Sequence, residues 1–274
     1  MKNKTIFFLT VTVFLLCLTA CRKTIRIQPN LSTLVTSQAF ASPGQARSVL
    51  AAAYFGLINN STGFASGQIT YYTGLSADEF ILYDINAQAE NEFFQNNIVS
   101  TNPLIGVNLW SSCFSTLFIA NSTIENIERS EFADSVKNDL IGQARFLRAF
   151  CNFYLVNIFG EIPLVTTSNW QKTQLLPRSS VKEVYDLIVS DLLFAEGHLS
   201  KAYSANNNER IVANQYAATA LLARVYLYLQ DWKNAEAAAS GLINEKNVFS
   251  LEDLNRIYAP DSKEAIWQLK QLNS

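Results

Sequence analysis

The stretch that decides the fold is RFLRAFCNFYLVNIFGEIPLVT, residues 145–166, in which apolar side chains recur at helical spacing on two faces. With the residues just before it, this stretch carries two apolar stripes: Leu140, Ala144, Leu147, Cys151, Tyr154 and Ile158 on one face, and Phe146, Phe150, Phe153 and Asn157 on the other. A narrower polar seam of Arg145, Arg148 and Asn152 lies between them. A helix with two apolar stripes must be covered on two sides, so the pattern predicts an interior helix in a stack of helices.

The residues after this helix predict how it ends. Gly160 suits a left-handed C-terminal cap, and Pro163 cannot continue a helix. The sequence therefore predicts that IPLVT, residues 162–166, leaves the helix as an extended segment.

Helical patterns also precede the decisive stretch. Ser42 suits an N-cap and Pro43 the first position of a helix over about residues 43–59. Residues 68–103 have no sustained helical period, which predicts loops with a short helix or two. Residues 104–128 regain the period and predict a long helix.

Two further elements follow the extended segment. Ser180 and Glu183 have the spacing of a capping box and predict a helix that ends at Gly197. A helical hairpin is predicted over residues 211–243, hinged at Gln230–Asp231. The inner face of its second helix is predicted to carry Trp232, Ala235, Ala239 and Leu242. Since alanine-rich hairpins are typical of tetratricopeptide repeats, the sequence predicts a mainly α fold, a tetratricopeptide-repeat-like helical scaffold with irregular loops and a few short strands.

The N-terminus has the layout of a secretory signal. Lys2 and Lys4 precede an apolar run from Ile6 to Leu18, and small residues follow. The run is short against the roughly 20 residues that cross a bilayer, so a cleaved signal over residues 1–20 is favoured over a membrane-spanning helix.

A lipid anchor is predicted directly after this signal. Leu18-Thr19-Ala20-Cys21 resembles the bacterial lipobox, in which the cysteine is lipidated and becomes the mature N-terminus. Buried acyl chains contribute about 0.8 kcal/mol per CH₂ and would hold the protein on a membrane surface. We therefore expect residues 21–42 to be a tether and residues 43–274 to be the helical domain.

Composition and cysteine usage argue against several functions. The 21 Lys and Arg and 23 Asp and Glu residues give a net charge of −2 and no basic stripe, so a nucleic-acid partner is not expected. Cys113 and Cys151 lie in apolar helical contexts and are predicted to be buried free thiols. The sequence has no CxxC pair or Cys/His cluster, so neither a metal site nor a cofactor is predicted.

Catalytic motifs are also missing from the sequence. His198 is the only histidine and follows a predicted helix end, where a solvated side chain or a contact with the helix C-terminus is expected. No G-x-S-x-G, HExxH or Walker pattern occurs, so no catalytic residue is assigned and the protein is not predicted to be an enzyme. Asp78 with Glu79, or Glu90 with Glu92, could supply the acid and base of a glycosidase, which is a minor alternative.

Ligand-binding chemistry is better represented. Sugar rings present apolar faces to aromatic rings and hydroxyl groups to amides, and the loop-rich residues 71–100 supply both kinds of side chain. The candidate ligand-binding residues are Tyr83, Asn86, Asn91, Phe93 and, in a later loop, Trp170. For each residue taken singly, packing against the scaffold is the alternative.

Four segments in order identify a family resemblance: ARFLRAFCNFYLVNIFGEIPLVT, LPRSSVKEVYDLIVSDLLFAE, ATALLARVYLYLQDWKNAEAAAS and EAIWQLKQ. The chain resembles the SusD/RagB-like outer-membrane lipoproteins, of the starch-utilisation-system D type, over nearly the whole mature sequence. The resemblance implies a tetratricopeptide-like scaffold and a non-enzymatic nutrient-binding role as the lid of a SusC-like TonB-dependent transporter. Ligands across the family are oligosaccharides, glycoprotein glycans or peptides.

Two features depart from the family pattern. The chain ends at Ser274, shortly after EAIWQLKQ, where family members usually continue, so we expect the C-terminal region to be absent. Basic residues follow Cys21, where many surface-displayed lipoproteins carry acids. The expected location is the cell outer membrane, lipid-anchored and facing the surface. A scaffold or adaptor lipoprotein that binds a protein partner is the alternative function.

Overall fold

The computed structural model describes residues 36–58, 63–84, 86–203 and 209–270. The predicted signal peptide, the predicted lipidation site Cys21 and most of the predicted tether lie outside the described residues. The helix Thr36–Ala39 belongs to one compact unit, and every later element belongs to a second unit that begins at Phe40.

The described residues are mainly helical. In chain order the α-helices are α1 Thr36–Ala39, α2 Pro43–Ile58, α3 Ile69–Ser76, α4 Gln88–Phe94, α5 Ser112–Glu128, α6 Asp134–Phe159, α7 Trp170–Thr173, α8 Val181–His198, α9 Gln215–Tyr228 and α10 Trp232–Ile243. Two π-helical segments, Phe64–Gln68 and Ile105–Ser111, run directly into α3 and α5. None of the helices in the described part of the chain combines the length and the apolar character that a membrane span requires.

Most of the longer helices pack on their neighbours along the chain. Helix α2 packs on α5, α5 on α6, α6 on α8, α8 on α9, and α9 on α10, while α3 and α4 form a smaller pair. This succession of paired helices confirms the predicted tetratricopeptide-repeat-like scaffold. The predicted short strands are represented, within the described residues, by one antiparallel bridge between Ile162 and Ser179.

Helix α6 is the interior helix that its two apolar stripes predicted. Leu140, Leu147 and Cys151 on one stripe are fully buried, as are Phe146 and Phe153 on the other. In the polar seam between the stripes, Arg148 and Asn152 are buried and Arg145 is half-buried. The guanidinium of Arg148 donates to both carboxylate oxygens of Asp191 on α8, at 2.7 and 2.8 Å, and to Oδ1 of Asn121 on α5, at 2.8 Å. Helix α6 is therefore covered by charged as well as apolar contacts.

The two cysteines of the helical stack are buried thiols, as predicted. Cys113 on α5 and Cys151 on α6 are both free and fully buried. Burial, with the neighbouring thiol of Cys151, raises the pKa of Cys113 well above its ordinary value. A neutral thiol in this position packs as a small apolar side chain.

The predicted helix starts are confirmed. Pro43 opens α2, and Ser42 Oγ accepts a hydrogen bond from the amide of Gln45 at 3.3 Å. Ser180 and Glu183 form the complete capping box of α8, since each side chain accepts from the other residue's amide, at 3.3 and 2.8 Å.

Two predicted helix ends differ in detail. Gly160 has the expected positive φ of 69°, but its ψ of −125° lies outside the left-handed helical region, in a conformation that glycine adopts without strain. Helix α8 continues through Gly197 to His198 and ends where Leu199 becomes extended. There Leu199 is buried and lies over Gly142 of α6, where a Cβ would be only 2.8 Å from the leucine Cδ2.

The hairpin of α9 and α10 turns at Gln230 and Asp231 as predicted, with Asp231 capping the amide of Asn234 at 3.2 Å. The predicted inner face of α10 is only partly correct. Leu242 is buried, but Trp232 is 61% exposed because it occupies the first position of α10, beside the turn. Trp232 is therefore a surface residue rather than part of the core.

Candidate functional site

Four of the five predicted ligand-binding residues lie in the segment from the end of α3 through α4. The side chain of Tyr83 is completely exposed, at 101% of its reference area. The amide and side-chain nitrogen of Asn86 both donate to Oδ1 of Asp84, at 2.9 and 3.1 Å. Asn91 is partly buried on α4, whereas Phe93 is only 5% exposed. Tyr83 is thus the aromatic ring that this segment presents most openly.

Phe93 packs inside the segment. Its ring is stacked on Tyr72 of α3 at 4.8 Å, and its carbonyl accepts a hydrogen bond from Ser76 at 3.1 Å. Burial raises the pKa of Tyr72, and Asn108 donates to the tyrosine hydroxyl at 2.7 Å. Phe93 therefore supports the loop between α3 and α4 through its contact with Tyr72.

The turn after α3 is braced by backbone hydrogen bonds. The carbonyl of Gly74 accepts from the amides of Glu79 and Phe80, at 2.9 and 3.2 Å. Asp78 adopts a positive φ of 58°, which reverses the chain direction. Ile81 and Tyr83 follow this hydrogen-bonded turn along the chain, and both side chains are exposed.

Trp170, the fifth predicted residue, lies in a different part of the fold. It begins the short helix α7 and is 65% exposed. Asn169 caps this helix by accepting from the amide of Gln171 at 3.0 Å. Among the described residues, no hydrogen bond or aromatic contact joins Trp170 to the segment that holds Tyr83. The structure therefore presents two exposed aromatic rings, Tyr83 and Trp170, each within three residues of an amide side chain along the chain.

The loop that carries Trp170 is attached to α5 by polar contacts. Glu125 accepts hydrogen bonds from the hydroxyl groups of Thr167 and Ser168, both at 2.5 Å, and from the amide of Ser168 at 3.2 Å. Burial alone would raise the pKa of Glu125, but the hydrogen bonds from Ser168 and Thr167, with the charge of Arg129, outweigh it and lower the pKa. The carboxylate is therefore the stable form of this side chain in the folded protein.

Sequence reasoning did not identify Glu125 as part of the site. Its position was a possible indication, because Glu125 lies one helical turn after Asn121, on a face of α5 that also carries apolar residues. The partners, Thr167 and Ser168, are more than forty residues away along the chain, so the contact itself could not be predicted from local sequence.

The side chains considered for catalysis have other surroundings. Asp78 and Glu79 are both exposed in the turn after α3. Nδ1 of His198 donates to the carbonyl of Phe194 at 2.8 Å, and its ring is stacked on the Phe194 ring at 4.0 Å. Within the described ranges, no group of three His, Cys, Asp or Glu residues is placed to hold a metal ion.

A cavity of about 850 Å³, which the sequence did not predict, opens between α2, the start of α6 and the chain near Lys270. Its lining includes Arg47, Tyr54, Asp139, Gln143, Tyr203 and Lys270. Its charged groups are paired, since Arg47 lies 3.8 Å from Asp139 and Lys270 lies 2.6 Å from Glu209. A ligand in this cavity would meet no unpaired charge among these groups.

Comparison with known proteins gives consistent results. The SusD-like family model, described as "Starch-binding associating with outer membrane", matches residues 42–227. SusD-like protein P38 from Formosa agariphila is 28% identical over 252 residues, which are 91% of this chain and 47% of that protein. The chain therefore spans less than half of the length of this curated relative.

Solved structures share the fold. Surface glycan-binding protein A from Bacteroides fluxus superposes with a TM-score of 0.70 and 26% identity, covering 82% of this chain and 50% of that one. A SusD superfamily protein from Bacteroides vulgatus superposes with a TM-score of 0.73 and 20% identity, covering 83% of this chain and 50% of that one. The helical stack described above is therefore an architecture found in other proteins.

Proposed function

This chain belongs to the SusD-like family, and on that premise we propose that it is an outer-membrane lipoprotein that binds oligosaccharide or peptide nutrients. In this proposal it delivers them to a SusC-like TonB-dependent transporter and performs no chemistry on them. Cys21, lipidated after removal of residues 1–20, would anchor it, and the helical domain would face the cell surface.

Oligosaccharide is the ligand class that we favour. The observation that carries this choice is the exposure of the Tyr83 and Trp170 rings, each close in sequence to amide side chains, since sugar rings stack on aromatic faces and their hydroxyl groups pair with amides. The name of the glycan-binding relative from Bacteroides fluxus supports the same class. A peptide could also form hydrogen bonds with these amides, but its binding would depend less on stacking against exposed aromatic rings.

Ligand binding is tested by calorimetry with maltoheptaose, chosen because the family model is described as starch-binding, followed by a panel of other glycans and peptides. We expect Tyr83→Ala or Trp170→Ala to weaken binding about three- to tenfold, because each removes an aromatic contact. Tyr258→Ala and Trp232→Ala are matched controls, since both rings are highly exposed elsewhere on the fold. Equal losses in the controls and the test variants, or no binding to any member of the panel, would contradict the proposed site.

The transport role requires a separate experiment. Purification of the lipidated protein from its native outer membrane in mild detergent, with mass spectrometry of the accompanying proteins, should recover a large TonB-dependent barrel in near-equal amount. Recovery without any barrel, with lipidation verified, would argue against delivery to a transporter. Release of reducing sugar that disappears in Asp78→Asn or Glu79→Gln would instead support the glycosidase alternative.

A second candidate function is a scaffold that binds a protein partner. The observation that favours it is a groove of about 340 Å³ between α8, α9 and α10, lined by small residues such as Ala237, Ala238 and Gly241. Small side chains let a partner helix approach closely. Capture of a partner that is lost in Ala238→Arg, with glycan binding unchanged, would support the scaffold function over nutrient binding.

A further inference from the structure

The segment that carries Trp170, residues 163–173, forms few regular backbone contacts with the rest of the fold. After Gly160 the chain makes one bridge, between Ile162 and Ser179, and then runs without pairing in a sheet to the four-residue helix α7. A segment with so little regular structure must owe its position to side-chain contacts. The side-chain hydrogen bonds that join it to the helical stack come from two residues of α5, Glu125 and Asn121.

The first anchor is the carboxylate of Glu125. Its Oε1 accepts from the hydroxyl of Thr167 and the amide of Ser168, and its Oε2 accepts from the hydroxyl of Ser168. Thr167 Oγ1 in turn accepts from the amide of Asn169 at 3.2 Å, and the side chain of Asn169 caps α7. A continuous set of hydrogen bonds therefore connects Glu125 to the helix that begins with Trp170.

The second anchor is Asn121, one helical turn earlier. Its Nδ2 donates to the carbonyl of Val165 at 2.9 Å, while its Oδ1 accepts from Arg148 at 2.8 Å. Because the guanidinium supplies only donors, it fixes the orientation of this amide and leaves the NH₂ group toward Val165. The buried pair of Arg148 and Asp191 thereby determines which group Asn121 offers to the segment.

We infer that Glu125 is the positioning residue that fixes the Trp170 segment on the scaffold before any ligand arrives, with Asn121 as a secondary anchor. The relevance of this to nutrient capture rests on the proposed function, in which Trp170 contacts the ligand. A ring held in place before binding loses little conformational freedom when the ligand arrives, which favours affinity.

Hydrogen exchange of the ligand-free protein tests the inference directly. We expect Glu125→Ala to raise exchange at the amides of Ser168 and Asn169 about tenfold, since hydrogen bonds to a charged group are among the stronger ones. Glu125→Gln keeps an acceptor oxygen and should restore part of the protection. Glu128→Ala is the matched control, because Glu128 is exposed on the same helix. Unchanged exchange in Glu125→Ala would overturn the inference, whatever the ligand results.

Affinity for maltoheptaose then separates this inference from the proposed function. If Trp170→Ala weakens binding, Glu125→Ala should weaken it by a similar factor, and Glu128→Ala should not. Normal affinity in Glu125→Ala beside weakened affinity in Trp170→Ala would overturn the positioning role. If Trp170→Ala binds normally, the proposed ligand contact fails, and the exchange result alone decides whether Glu125 holds the segment.

Discussion

At the scale of single residues, we expect the buried carboxylate of Asp191 to be among the most costly groups to remove. It is almost completely buried, receives two hydrogen bonds from Arg148 and lies 3.8 Å from the guanidinium of Arg145. A buried ion pair adds little net stability compared with apolar packing, but removal of one partner leaves the other charge buried without compensation.

We expect Asp191→Ala to lower the free energy of unfolding by about 3–5 kcal/mol, because Arg148 would be left unpaired in the interior. Urea denaturation followed by circular dichroism measures this loss. Asp186→Ala, on the same helix, removes an exposed pair with Lys182 and should cost less than about 1 kcal/mol. Comparable losses in the two variants would show that burial of the pair is unimportant.

Glu125 should make the order of the Trp170 segment dependent on pH. Its pKa in the folded protein is lowered, so its stabilising contribution is present above the ordinary carboxyl value of 4.5 and is lost as the pH falls through the lower folded value. Exchange of the Ser168 amide, corrected for its intrinsic pH dependence, should stay constant from neutral pH to near that ordinary value and rise below it. In Glu125→Gln this rise should be absent, and a rise of the same size would assign the effect to another group.

At the scale of elements, the crossing of α6 and α8 depends on close approach. Gly142 has no side chain, and the buried Leu199 occupies the space in which a Cβ would lie. The extended conformation of Leu199 that ends α8 also brings its side chain onto α6. The absence of a side chain at Gly142 of α6 therefore leaves room for Leu199, the residue that follows α8.

We expect Gly142→Ala to lower the free energy of unfolding. Overpacking typically costs about 1–3 kcal/mol, whereas the higher helix propensity of alanine offsets at most about 1 kcal/mol of this loss. Gly197→Ala is the matched control. Nothing lies within 4 Å of a Cβ there, so alanine should stabilise α8. Thermal unfolding should move in opposite directions in the two variants, and a stabilised Gly142→Ala protein would contradict the proposed close approach.

The sequence predicted helix starts and buried faces correctly where these depend on residues close together along the chain. The capping box at Ser180, the proline start of α2 and the two stripes of α6 all depend on residues within a few positions of one another. Helix α8 ends at His198, one residue later than predicted, and the next residue, Leu199, packs on Gly142, which is distant in sequence. The prediction that Trp232 belongs to the inner face of α10 was wrong. Helical spacing identifies which residues share a face, but it does not show whether another helix covers the first turn of that face.

The candidate ligand-binding site could be predicted from the sequence only in part, because it also depends on contacts between residues that are distant along the chain. Composition pointed to exposed aromatic residues, and the rings of Tyr83 and Trp170 are indeed exposed, whereas Phe93 is covered by Tyr72. The anchors of the Trp170 segment join residues that are far apart in sequence, so no local pattern reveals them.

At the scale of the whole molecule, the unit that begins at Phe40 is a stack of helices in which successive elements cover one another. Such a stack gains stability from contacts between adjacent units, and it can display loops at its ends and edges without loss of the core. Tyr83 follows the turn after α3, and Trp170 begins the short helix α7, so both lie outside the longer helices of the stack. The architecture is therefore compatible with the proposed role, in which these two rings contact a ligand while the helices form the supporting frame.

Membrane attachment is a property of the whole molecule that the N-terminal sequence predicts. We expect Cys21→Ser to move the protein from the membrane fraction to the soluble fraction, because the acyl chains that would anchor it could no longer be attached. Cell fractionation and metabolic labelling with a fatty acid measure both effects. Cys17→Ser is the control and should leave attachment unchanged, and continued membrane association of an unlabelled Cys21→Ser protein would contradict the lipid anchor.

The contact of Arg148 with two other helices has a consequence for how the stack assembles. Apolar stripes repeat every three or four residues, so a helix displaced by one turn, about 5.4 Å, could still bury most of its leucines and phenylalanines. The same displacement would move the guanidinium away from both Asp191 and Asn121 and leave it facing hydrocarbon. An assembly displaced by one turn would therefore be much less stable than its apolar contacts alone would make it. In this way we expect Arg148 to favour the observed alignment of the helices over the displaced one.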